Sequence, residues 1–505
     1  MARGIKMLGN LLGRGRTDIY RTISTCMPTA VFIISYILTT ALAATIYLLP
    51  NGAEYISSRT GPIAAKAYNA IGSPTYLALL HLPIIIVPLI SWLTIKLIRK
   101  SPALQLQYAK KSFEINTKLL WAIFAFSVAF CLYKLQAAGA LDIGVASSGD
   151  YIAKTIRRLN LLSGLGFIFF AFAYGINLLL PILAFISYAK QGGKTSDLTL
   201  FILSFVFFIF VITATYSKAQ ILIYLIMMMS AFAITRAKVK YIVIISFISI
   251  ASFILTGYAM NPSSAQPEKT VVTERGNKIN EKESTAIEEE LDNLKHKAPG
   301  ASIASSAAAS KIIDPAINEE LSDGPVKIEP NLLALYMKKL SGDALHRMAA
   351  ALPFYVAMFE DESERCGIQG NLVRKVFLMP EPECVLPIKV FNAMYPEVDW
   401  AQGQQPAPAH LSAYGEIGMA WSICVMVIIG VLLGIFGAFG ASNSSPLFVG
   451  FTVAACSCAY YLTQVSIVAA FTYPHGLFVF MIPIALLFTY AMGSKRTPSE
   501  HEASA

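Results

Sequence analysis

Apolar residues in this chain come in long blocks separated by short polar breaks. Residues 28–49, 76–98, 119–138 and 161–186 are each a predominantly apolar run. A helix of about 20 such residues, rising 1.5 Å per residue, spans the roughly 30 Å core of a bilayer. Residues 198–235 stay apolar for nearly two spans with Lys218 in the middle of TATYSKAQ, so this stretch predicts a tight helical hairpin with Lys218 at its tip. Further runs at 241–260, 419–439, 447–471 and 477–492 follow, the last two joined by TYPHG. The expectation is an all-α polytopic membrane protein of about ten spans. Gly430 and Gly434 in the eighth run would let another helix approach closely. His81, inside the second run, reads as a satisfied core histidine.

The polar breaks set a direction. Arg99, Lys100, Lys110 and Lys111 follow the second run, YAKQGGK follows the fourth, Arg236, Lys238 and Lys240 follow the hairpin, and Lys495 and Arg496 follow the last run. The positive-inside rule puts these loops and both termini in the cytoplasm. The first run, preceded by the basic MARGIKMLGNLLGRGRTDIYR, is too long for the h-region of a signal peptide. By alternation, Lys154, Arg157 and Arg158 face outward against the trend, which marks either an anionic ligand or a local topology error. Lys218 is either functional or a lysine snorkelling to the interface.

Between the seventh and eighth runs composition changes twice. Residues 261–330 are rich in Glu, Lys, Ser, Ala and Pro and carry too little apolar surface to order themselves, so they read as a disordered linker. Residues 331–415 read as an aqueous cap, which leaves 1–260 as the first membrane bundle and 416–505 as the closing spans and tail. Within the cap, GDALHRMAAALPFYVAMFEDESE places Asp343, His346 and Arg347 at i, i+3 and i+4, one face of a helix. Such a face holds either an anion at the membrane surface or nothing more than solvent.

Composition narrows the class. The chain is 55% hydrophobic and 14% charged, against roughly 25% charged in average proteins, which excludes one large soluble domain. The net charge of +9 belongs to loop lysines and arginines, and no basic stripe with interleaved aromatics points to nucleic acid. Of seven cysteines only Cys366 and Cys384 lie in the polar segment, where an oxidising compartment would let them pair as a disulfide. None of the seven has metal-ligand spacing.

Four stretches resemble the Wzy-type polymerases of O-antigen, enterobacterial common antigen and exopolysaccharide repeat units. TATYSKAQILIYLIMMM is similar to the family's hairpin, ALHRMAAALPFYVAMFE to the arginine-bearing helix that opens the large periplasmic loop, and QGNLVRKVFLMPEP to the piece after it. PAPAHLSAYGEIGMAWSICVMVIIGVLLG resembles the closing motif at the start of the next span. Two features depart from the pattern: Lys218 stands where relatives carry arginine, and the long linker is an insertion. A lysine does not grip a phosphate bidentately.

The resemblance implies a GT-C-like fold in the bacterial inner membrane with its large periplasmic loop between spans seven and eight. It implies a metal-independent glycosyltransferase that moves an undecaprenyl-pyrophosphate-linked glycan onto a lipid-linked repeat unit, without nucleotide sugar or other cofactor. Membrane lipid, a chain-length regulator and a flippase are the expected partners, and nucleic acid is not. No Asp-x-Asp pair stands ready to bridge phosphates through a metal, so Arg347, Arg374, Lys218, Arg157, Arg158, Lys154, His346 and His410 are the candidates for neutralising a departing pyrophosphate. His410, Asp343 and Glu416 are the candidates for taking the proton of an attacking sugar hydroxyl. Glu416 has a plainer reading as a carboxylate placed near a helix start. An O-antigen ligase, a lipid-linked glycan flippase or transporter, and a structural membrane component are the competing functions.

Overall fold

A computed structural model describes residues 22–50, 53, 56, 62–100, 113–141, 161, 164–215, 219–235, 346, 348–369, 384–396, 404–440, 445–474 and 476–493. These residues form helices and turns, with no strand among them. In chain order they are α1 (Thr22–Ile46), α2 (Pro62–Ala70), α3 (Pro74–Lys100), α4 (Thr117–Ala137), α5 (Gly164–Lys190), α6 (Thr195–Ala214) and α7 (Ala219–Thr235). There follow α8 (Ala351–Phe359), α9 (Leu386–Met394), α10 (Ala409–Glu416), α11 (Met419–Gly440), α12 (Pro446–Tyr461), α13 (Ile467–Thr472) and α14 (Leu477–Gly493). Seven stretches of the described chain are long and apolar enough to cross a membrane: α1, α3, α4, α5, α6, α11, and Ile467–Ala491, which contains α13 and most of α14. The chain is therefore a polytopic helical membrane protein.

Where the count differs from ten, the reasons are local. The hairpin has its two limbs in α6 and α7, but α7 is a shorter apolar helix, as is α12. Run 241–260 lies outside the described residues, as do the linker 261–330 and the hairpin tip Lys218. Run 447–471 is not one helix: α12 ends at Tyr461 and the chain turns over residues 462–465. The Thr463 and Gln464 amides donate to the carbonyls of Tyr460 and Tyr461 at 2.9 and 2.8 Å, and the Ser466 hydroxyl caps α13 by accepting from the Ala469 amide. The polar side chains of LTQVS thus end one helix and begin the next, and TYPHG interrupts the chain a second time before α14.

Glycine lets α3 and α11 approach closely. A Cβ on Gly430 would sit 2.7 Å from Ile90 Cβ, and one on Gly434 would sit 2.8 Å from the Ser91 carbonyl oxygen. Helices in lipid gain little from hydrophobic association, so close backbone approach and its dispersion contacts hold them together. Gly437 continues the stripe onto α1, where its missing side chain makes room for the Thr25 carbonyl. Thr29 Oγ1 and Ser91 Oγ share a 2.7 Å hydrogen bond across α1 and α3 nearby.

Two buried polar side chains inside the bundle, Asn177 and Asp197, are paired between helices. Ser127 on α4 donates to Asn177 Oδ1 on α5 at 2.6 Å, just after a π-helical stretch, Ala171–Ile176, and before Pro181. Asp197, fully buried in the first turn of α6, accepts from Thr117 on α4 at 2.7 Å and from Ser187 on α5 at 2.9 Å. That turn is also where the helix macrodipole favours a negative charge.

The cap residues pack into the membrane bundle. α8 carries ALPFYVAMF with its proline in the first turn, where no intrahelical N–H is lost. All of its residues but Ala357 are buried, together with parts of α1, α2, α3, α9 and α10. α8 is thus a covered helix, and exposure resumes at Glu360. Cys366 and Cys384 are joined in a disulfide with Cα atoms 5.0 Å apart.

Gly434→Leu should lower the stability of the detergent-solubilised protein by about 1–3 kcal/mol, because a branched side chain must push α3 away from α11. A melting temperature equal to the wild type would show that the two helices do not depend on this approach.

Candidate functional site in the cap

The site is built on α10, a two-turn helix whose eight residues are all buried, including the polar His410, Ser412 and Glu416. Its backbone is tied on every side. The Ala409 amide donates to the Leu462 carbonyl at 2.9 Å, the Ser422 hydroxyl to the His410 carbonyl at 2.7 Å, and the amides of Cys366 and Gly367 to the carbonyls of Gly415 and Glu416 at 3.1 Å. A Cβ on Gly415 would stand 2.7 Å from Leu386 and 3.1 Å from the Tyr355 ring, so glycine lets α8 and α9 close over α10. Gly418, at φ +118°, turns the chain into α11 through a conformation that side-chain-bearing residues rarely adopt.

Glu416 is the buried carboxylate of this site, with 8% of its surface exposed. Its Oε2 accepts from the Trp421 indole at 2.9 Å and its Oε1 from the Gln369 backbone amide at 3.3 Å. Burial raises its pKa from an ordinary 4.5 to about 7, and the two hydrogen bonds pull the other way without cancelling that rise. Glu416 closes the C-terminal end of α10 and precedes α11 by three residues. Its indole partner, Trp421, lies in the first turn of α11, so Glu416 also stands near a helix start. Beside it, the Tyr355 hydroxyl is fully buried with no hydrogen-bond partner among the described residues. Burial holds that phenol well above the usual tyrosine range, the Ser412 hydroxyl works against the shift, and the Glu416 charge adds to it.

Arg365 forms the rim. Its guanidinium lies over Gly418, donates to Glu362 Oε1 and to the Ile417 carbonyl at 2.8 Å each, and so fixes the turn that follows Glu416. Lys389 on α9 bonds Glu364 at 2.7 Å on the same rim.

His410 is held differently. Its Nε2 lies 3.1 Å from the Leu79 carbonyl oxygen, and since a carbonyl only accepts, that nitrogen carries the proton. Nδ1 has no partner among the described residues, and the ring meets Tyr36 edge-on at 5.4 Å. Burial lowers its pKa to about 4, so the imidazole is neutral at physiological pH. His346 sits elsewhere: its Nδ1 is 3.0 Å from the Tyr47 hydroxyl and its ring stacks on Tyr47 at 5.6 Å. Tyr36 and Tyr47 are three helical turns apart along the first span, so the two histidines do not share one site. Asp343, Arg347, Arg374, Lys218, Arg157, Arg158 and Lys154 lie outside the described residues.

Tyr355, Arg365, Gln369 and Trp421 were not among the residues singled out from the sequence. No spacing joins Tyr355 or Gln369 to Glu416, since each arrives from a different part of the cap. The chain matches no family model, no curated protein and no solved structure.

The raised carboxyl makes a pH prediction. A group whose folded pKa is raised favours the protonated folded state, so its contribution is present in acid and is lost as pH climbs from about 4.5 through about 7. Relative to Glu416→Gln, the wild type should lose on the order of 3 kcal/mol of stability between pH 5 and 8. Thermal unfolding of both proteins across that range, with parallel pH curves, would show that Glu416 titrates as an ordinary solvated carboxyl.

Proposed function

We propose that this chain is a polysaccharide polymerase: a metal-independent membrane glycosyltransferase that moves an undecaprenyl-pyrophosphate-linked glycan onto a lipid-linked repeat unit at the periplasmic face of a bacterial inner membrane. The observation that carries the reading is Glu416, a buried carboxyl with a pKa of about 7 at the edge of a disulfide-closed cap. A base poised near the working pH is what removal of a proton from an attacking hydroxyl requires. A disulfide in that cap fits an oxidising compartment, which supports a periplasmic cap and cytoplasmic termini.

In this reading the acceptor hydroxyl attacks the anomeric carbon of the donor glycan as the bond from that carbon to the pyrophosphate oxygen breaks. The hydroxyl proton passes to the Glu416 carboxylate, and undecaprenyl pyrophosphate leaves. The negative charge that grows on the leaving group is met by Arg347 and Arg374, whose planar forks each reach two phosphate oxygens, with Lys218, Lys154, Arg157 and Arg158 adding positive charge. Asp343 is a further candidate for taking that proton, and His346 for adding positive charge. His410 serves as a positioning residue for α10 through its bond to the Leu79 carbonyl, and burial makes its ring a weak base.

Purified protein in liposomes, supplied with lipid-linked repeat units, tests this directly. Arg347→Ala, Arg374→Ala and Glu416→Gln should each lower polymer yield by about a hundredfold while the protein stays folded, the scale of losing one preorganised group. Arg347→Lys should recover only part of the rate, and wild-type rate should rise with pH through about 7 as Glu416 ionises. Normal polymer from all three variants overturns the reading. Transfer onto lipid A core in place of another repeat unit reassigns the chain as a ligase, and movement of the lipid-linked unit without any new bond reassigns it as a flippase.

A further inference from the structure

At the end of the bundle opposite the cap, α1 and α3 part to form a groove of 420 Å³, within the usual range of ligand sites. Thr22, Thr25 and Cys26 line it from α1, at i, i+3 and i+4. Trp92, Ile95, Lys96, Arg99 and Lys100 line it from α3, at i, i+3, i+4, i+7 and i+8, so each helix presents one face. The Thr25 backbone and Ile95 rest on Gly437 of α11, which gives the groove a packed floor.

Its charge is one-sided. Lys96, Arg99 and Lys100 are exposed along it, and no acidic residue is among the described residues of the lining. Two of the cations are held in place: Lys96 Nζ stands 4.8 Å above the Trp92 ring, and Arg99 Nη2 donates to Thr25 Oγ1 at 2.7 Å across the gap. A guanidinium and two ammonium groups on one helix face suit a phosphate.

We propose that this groove binds the phosphodiester headgroup of an anionic phospholipid. The phosphate lies between Lys96, Arg99 and Lys100, and the acyl chains run along the exposed apolar side of α3. Leu89, Leu93 and Leu97 stay open to the lipid there, 51%, 39% and 69% exposed. Trp92, 54% exposed, sits at the level where indoles anchor to headgroups. A free phosphate would find the same cations but no use for this apolar flank. The proposal is independent of the glycosyl transfer suggested for the opposite end of the molecule.

Native mass spectrometry of the full chain, delipidated and then titrated with phosphatidylglycerol or phosphatidylcholine, tests the assignment. The wild type should retain phosphatidylglycerol preferentially. Lys96→Gln/Arg99→Gln/Lys100→Gln should weaken that retention by at least about tenfold, given how strongly each basic residue draws anionic lipid. Lys96→Gln/Lys100→Gln, which keeps the Arg99–Thr25 hydrogen bond, should show a smaller loss in the same direction while the melting temperature holds. Equal retention of both lipids by the wild type, or undiminished phosphatidylglycerol binding by the triple variant, overturns the proposal. Displacement of the lipid by millimolar inorganic phosphate assigns the groove to a free anion and overturns the lipid assignment.

Discussion

The Leu79 backbone carbonyl is a point where the cap and two helices of the bundle meet, beside the Ala409–Leu462 and Ser422–His410 hydrogen bonds. Pro83 has no N–H, so the Leu79 carbonyl one turn earlier in α3 loses its helical partner. Leu79 is fully buried, away from any water that would replace that bond, and an unsatisfied carbonyl there would cost several kcal/mol. Tyr36 of α1 and His410 of α10 supply the donors, at 3.2 and 3.1 Å, and the Tyr36 hydroxyl also reaches the Leu80 carbonyl at 3.1 Å. Three elements far apart in sequence are thereby held at one point. Because α10 is fixed at its first turn by this bond, Glu416 at its other end is fixed as well.

Burial then acts on the two ends of α10 in opposite directions. The same loss of water that keeps His410 neutral by lowering its pKa keeps Glu416 protonated to a higher pH by raising it. At neutral pH the histidine carries no charge, whereas burial brings the ionisation of the carboxyl up toward neutrality. Of the two, Glu416 is the group whose proton moves under ordinary conditions, and the indole of Trp421 and the amide of Gln369 keep it aimed while it does so.

The bundle shows how a membrane protein distributes polar chemistry. Inside it, Asn177 and Asp197 are satisfied by hydroxyls from neighbouring helices and so serve to register α4, α5 and α6. At the two ends, charge is concentrated and partly open: Arg365, Glu362, Glu364 and Lys389 at the rim of the cap, and Lys96, Arg99 and Lys100 at the other. Glycine allows the approach between them, at Gly415 in the cap and along Gly430, Gly434 and Gly437 in the span.

Helix type, the membrane setting and most of the helix positions were legible in the amino-acid sequence, because an apolar run of about 20 residues in lipid has no stable form but a helix. The glycine spacing at Gly430 and Gly434 marked a close contact, and two cysteines alone in a polar stretch marked a disulfide, since both signals are local. Only the tertiary structure decided where run 447–471 breaks, because the hydroxyl and amide groups of LTQVS act as caps only when the flanking helices can pack. It also decided that α8 is covered, since which faces are covered depends on what packs there. His410 and Glu416 were visible as candidates, but their roles were not. Those depend on a carbonyl freed by Pro83 and on a tyrosine, an indole and a loop amide brought from four other segments, and a proton's affinity for its site is set by neighbours in space.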